Sequence, residues 1–135
     1  KRYIKNFKKL ILLCIHGVTK KFGKALVNEQ EVLNNIAEMM METYISESME
    51  LRIEKLSGKN AAISVYRDML DVNISDAADI IRKSAVEAIG AFADAESCPA
   101  LLKAVEKLSG VNCLNLKDAR RRIAEKLIED NEYRF

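Results

Sequence analysis

The sequence predicts an all-α protein, an up-and-down helical bundle of four to five helices, and three observations carry that expectation. Apolar residues recur at three- and four-residue spacing through most of the 135 positions, as the face of a helix requires. The chain has one Pro and five Gly, and Gly23, Gly58 and Gly110 fall where a periodic stretch ends. Apolar residues make up 49% and charged ones 31%, the balance of a soluble helical protein rather than a sheet or a disordered chain. A chain of this length can bury roughly two thirds of its unfolded surface around one core, so residues 1–135 are expected to form a single helical domain.

The first helix is expected over residues 2–21. Tyr3, Phe7, Leu10, Cys14 and Val18 form one stripe with Ile4, Ile11, Ile15 and Phe22 beside it, and Lys1, Lys5, Lys8 and Lys9 take the opposite side. Gly23 suits the left-handed position past the last turn, and Lys20 and Lys21 suit the negative end of the helix dipole. The stretch from Leu10 to Ile15 is apolar nearly all round, which favours the bundle interior; a basic amphipathic helix lying on an anionic membrane is the other reading.

Asn28 with Glu31 three residues later reads as a capping box opening the second helix, with Val27 stapled against Val32. Its expected inward face is Leu33, Ile36, Ala37, Met40, Met41, Tyr44, Ser48 and Leu51, broadened by Ile45, Met49, Ile53 and Leu56, and it stops at Gly58. The third helix follows from Ile63, Tyr66, Leu70, Ile74, Ala77, Ile81, Ala85, Ala88 and Phe92. It is expected to be continuous, with "DVNIS" at 71–75 as the place where Asp, Asn and Ser compete for the backbone. A fourth helix starts near Ser97 with Pro99 in its first turn. A fifth takes Asn115 as N-cap with Asp118 as capping partner, presents Leu116, Ala119, Ile123, Leu127 and Ile128, and frays after Asp130. "EKLSGKN" (54–60) and "EKLSGVN" (106–112) match at six of seven positions and read as two helix ends of one design, each closed by a left-handed Gly.

Little catalytic chemistry is written into this chain. His16 is the one histidine, so two-histidine and three-histidine metal sites are excluded, and nothing points to a Ser-His-Asp set around it. No GxGxxG or GxxxxGK[ST] loop is present. Glu38 and Glu42, and Glu47, Glu50 and Glu54, share helix faces and read as solvated surface; so does Arg120-Arg121-Arg122, whose helix also carries Asp118, Glu125 and Glu129. The run Met39-Met40-Met41 places one or two thioethers in the core and one at its edge. Cys14, Cys98 and Cys113 lack metal or disulfide spacing and read as reduced, buried residues of an intracellular protein.

Charge is unevenly divided. Residues 1–24 hold eight of the 22 Lys/Arg and no acid, leaving fourteen against all 20 Asp/Glu in the remainder, so +8 is followed by −6. Either the two parts complement one another or the basic helix meets an anionic partner, through Lys5, Lys8, Lys9, Lys20 and Lys21. No apolar run reaches the roughly 18 residues of a membrane span, and no signal-peptide cleavage site follows the first apolar run. The chain begins without Met and already inside an amphipathic pattern, as a C-terminal piece of a longer protein would.

The stretch "FGKALVNEQEVLNNIAEMMMETYISESMELRIEKL" resembles the C-terminal extension of acyl-CoA dehydrogenases of the very-long-chain type and their bacterial relatives. Its V-N-E-Q-x-x-L-x-x-x-A motif is Val27, Asn28, Glu29, Gln30, Leu33 and Ala37 here, and the likeness is sharp over about residues 20–56. The resemblance implies a cytoplasmic FAD-dependent parent enzyme of fatty-acid β-oxidation, with FAD and the catalytic glutamate in a dehydrogenase core and none on this part. The implied role is packing on that core, assembly of a homo-oligomer, or peripheral contact with the inner membrane surface. A competing reading is a free-standing helical adaptor or nucleic-acid-binding bundle using the basic first helix, which steep salt dependence would reveal.

Overall fold

The computed structural model describes residues 1–59 and 62–133. Among these, five α-helices and one 3-10 segment occur, and no strand: α1 (Arg2–Phe22), the 3-10 segment (Gly23–Asn28), α2 (Gln30–Leu56), α3 (Ile63–Phe92), α4 (Cys98–Ser109) and α5 (Leu116–Asp130). The all-α bundle expected from the sequence is the fold observed.

α3 is the axis of the bundle, because it packs against α1, α2, α4 and α5, while α1 also touches α2 and α4. Its inward side carries Ala77, Ala78, Ala85 and Ala88 at 3% exposure or less, and such small residues let neighbouring helices approach closely. Ile81 and Ile89 on α3 meet Phe7, Leu10, Cys14 and Val18 of α1, Met39 of α2 and Val105 of α4 in one cluster. Each large apolar side chain removed from water there contributes about 1.5–3 kcal/mol. Gly17 serves the same packing: a Cβ on it would lie 2.2 Å from the Phe92 ring, so its absence is what allows that ring to rest on α1.

α3 passes through 71–75 without a break. Asn73 does not compete for its own backbone, because its amide donates to Ser46 Oγ on α2 at 2.8 Å. Asn115 caps α5 as expected, accepting from the Asp118 N–H at 3.2 Å while its amide donates to the Asp118 carboxylate at 2.6 Å. α5 ends at Asp130 on a left-handed Asn131. Of its expected apolar positions only Ala119 is buried, and Leu127 and Ile128 are 41% and 77% exposed.

Several expectations are corrected. α2 has Glu29, not Asn28, at its N-cap position, and no side chain caps it. The reason is the 3-10 segment: the Glu29 N–H already donates to the Leu26 carbonyl, so the chain winds straight into α2 and leaves no extended residue to act as a cap. Val27 is 74% exposed and staples nothing, whereas Val32 is buried. The two "EKLSG" ends are not alike. Gly58 has φ +80 after a helix that ends at Leu56, but Gly110 has φ −66, and Ser109 stays helical with its hydroxyl on the Val105 carbonyl. Asn60, the last residue of the first of these two stretches, lies outside the described residues.

Candidate functional site

α2 carries apolar side chains on two sides, and only one of them is packed. Val32, Ile36, Met39, Thr43 and Ser46 face the bundle. Of the face expected to be inward, Ile36 is buried and Met49, Ile53 and Leu56 are half-buried, but the rest is turned outward: Leu33 is 37% exposed, Met40 53%, Met41 56%, Leu51 54% and Tyr44 72%. At about 100° per residue these outward positions, with Ala37 and Ser48, span roughly 100° of the helix and lie on the order of 120° from the packed side. Two hydrogen bonds hold that orientation, Asn73 to Ser46 and the Ser84 hydroxyl to the Glu38 carboxylate at 3.0 Å.

Leu12 of α1, 65% exposed, extends the outward stripe. Between α1 and α2 runs a groove of about 430 Å³, lined by Ile11, Leu12, Ile15, Met40 and Tyr44 with Lys8 and Glu47 at its edge. The remaining residues of the α1 apolar stripe, Ile4, Phe7, Leu10, Ile11, Cys14 and Val18, are buried. α1 therefore packs most of its apolar stripe into the bundle. Of the methionine run, Met39 alone is in the core.

The basic residues divide. Lys8 pairs with Glu47 at 2.7 Å and Lys1 Nζ with Glu54 at 2.8 Å, so part of the α1 charge is matched by α2 carboxylates expected to be simply solvated. Lys5 and Lys9 remain exposed, and Lys9 shares with Arg2 and Lys107 of α4 a groove of about 480 Å³. Lys20 and Lys21 stand at the other end of α1, about 22 Å from Lys5 along the axis, so the five lysines do not form one patch. On α5, Arg122 holds Asp68 of α3 through two contacts of 2.8 Å, and Arg120 reaches Asp76 at 3.4 Å.

His16, Lys20, Lys21, Asp94 and Ser97 line a further open groove of about 520 Å³. This does bring a His, an Asp and a Ser together, but not in a catalytic order. Both the backbone N–H and the hydroxyl of Ser97 donate to Asp94 Oδ1, at 2.7 and 2.9 Å, which holds the Asp94 carboxyl below its usual range and closes the turn before α4. Cysteines also depart from expectation: Cys14 is buried and its thiol is pushed up to about 11 by desolvation, but Cys98 is half-buried and Cys113 exposed. Among the described residues no group of three His, Cys, Asp or Glu could hold a metal ion. No described helix is long and apolar enough to cross a membrane.

Comparison with known proteins gives the arrangement its context. A family model described as the acyl-CoA dehydrogenase, C-terminal domain matches residues 6–107. The chain is 30% identical over 135 residues to a probable acyl-CoA dehydrogenase of Bacillus subtilis (strain 168), covering 98% of this chain and 23% of that protein. It matches the crystal structure of an acyl-CoA dehydrogenase complexed with FAD from Bacillus anthracis with a TM-score of 0.94 and 31% identity, over 100% of this chain and 23% of that one. The chain thus spans 23% of the length of each of these relatives. With a family model matching most of its residues and a fold that agrees, this chain belongs to the acyl-CoA dehydrogenase C-terminal domain family.

Proposed function

We propose that this chain is a single, non-catalytic helical unit of a longer cytoplasmic, FAD-dependent acyl-CoA dehydrogenase of fatty-acid β-oxidation, of the very-long-chain type. Its contribution is to pack on the dehydrogenase core and support assembly. One observation supports the reading: the polar groups of the interior are spent within the bundle, some between helices and some within one. Ser84 binds Glu38, Asn73 binds Ser46, and the Thr43 and Ser109 hydroxyls bind carbonyls of their own helices. Among the described residues no buried side-chain polar atom lacks a partner. In this reading FAD is held by the dehydrogenase core.

The test is made on the complete natural polypeptide that carries this segment. Purified protein should contain FAD and reduce a dye when given a fatty acyl-CoA, and residues 1–135 alone with added FAD should give no turnover. A complete polypeptide without flavin, or turnover by residues 1–135, would remove the reading.

A further inference from the structure

We infer that the outward stripe of α2, Leu33, Met40, Met41, Tyr44 and Leu51 with Leu12 of α1, is the seat on which the dehydrogenase core of the same polypeptide rests. The inference depends on the function proposed above and adds to it the surface that does the packing.

The stripe is too large to be incidental. Taking about 200 Å² for a fully exposed large apolar side chain, it presents on the order of 600–700 Å², beyond the roughly 300–600 Å² of the largest patch on a typical monomer. One partner's share of a standard stable interface is about 800 Å². From Leu33 to Leu51 it runs about 27 Å along α2, long enough to receive a whole helix or sheet edge. Its composition suits a permanent neighbour: two methionines adapt to an irregular surface, and Tyr44 offers a large ring with a polar tip.

The occupant is argued from the relatives. In the Bacillus subtilis and Bacillus anthracis proteins the matching segment is 23% of the chain, so a much larger body is tethered to it. A tethered surface competes at millimolar effective concentration for short flexible links, which a second copy or another protein does not reach. Charge agrees with this assignment. Lys8 and Glu47 at the edge of the groove satisfy one another, so this pair directs the groove toward neither an anionic membrane nor a basic partner.

The test is hydroxyl-radical footprinting of the complete polypeptide in its FAD-loaded form, which requires no mutation and cannot be confused with misfolding. Oxidation of Met40, Met41 and Tyr44 should be several-fold slower than in the unfolded chain, at high dilution and without lipid. Ile128, 77% exposed on α5, serves as the reactive reference. Labelling of the stripe that matches the reference, once each is corrected for the intrinsic reactivity of its side chain, would overturn the inference. Protection that disappears on dilution would replace the core by a second copy, and protection only with anionic vesicles would replace it by a membrane; either result overturns it too. Flavin content and dye reduction by the same preparation report separately on the proposed enzyme, so a failure there leaves the footprint readable on its own.

Discussion

α2 and α3 are alike in length, 27 and 30 residues, yet they relate to the bundle in opposite ways. α3 has one apolar stripe, rich in alanine, which is buried from Ile74 to Ile89 and half-buried at Leu70 and Phe92. α2 has two apolar sides, and the one with the larger side chains points to solvent, while the bundle receives a side that includes Thr43 and Ser46. The difference teaches that hydrophobicity alone does not orient a helix. Where both sides are greasy, a few hydrogen bonds to neighbours select the inward one, here Asn73 to Ser46 and Ser84 to Glu38.

The adjacent methionines break the comparison open most sharply. Met39→Ala should cost about 2–5 kcal/mol in denaturant unfolding of residues 1–135, since Met39 is fully buried. A value near zero would mean that α2 is rotated from the orientation described. Cys14 of α1 asks whether the core it shares with α2 and α3 is dry. Its folded-state pKa of about 11 lies above the unfolded thiol's 9.0, so its contribution is fully present below pH 9 and is lost as pH rises through 11. The loss should approach about 2–3 kcal/mol, and Cys14→Ala should abolish that part of the pH dependence.

Smaller effects refine the picture. Asn73→Ala removes the donor to Ser46 and should cost about 1 kcal/mol, whereas the same change at exposed Asn34 should cost far less. Smallest of all, Met41→Ala should change the stability of residues 1–135 by no more than about 0.5 kcal/mol, because its side chain packs on nothing essential there. A cost comparable to that of Met39→Ala would show that the outward side is already buried within this unit.

These particulars also explain what the sequence made legible. The α3 stripe and the Asn115 cap of α5 could be read directly, because one periodic face and one local side-chain bond decide them. The inward face of α2 could not, since its choice depends on Asn73 and Ser84, which lie 27 and 46 residues from their partners. Asn28 had the composition of an N-cap, but the 3-10 segment made a cap unnecessary. Gly110 shared its motif with Gly58 but not its backbone, because Ser109 remained in the helix by bonding the Val105 carbonyl. The pairing of Lys8 with Glu47 was foreshadowed only by the charge imbalance between α1 and the remainder.

The two-sided character of α2 has a direct test. Tyr44 and Val27 are matched in this unit, 72% and 74% exposed, on either side of the question. Tyr44→Cys and Val27→Cys would be placed separately in the complete polypeptide, with Cys113 replaced by Ser, and their rates of maleimide labelling compared. Labelling at position 44 many times slower than at 27, becoming equal when the protein is unfolded, is the predicted result. Equal rates in the folded, FAD-bearing protein would contradict the account.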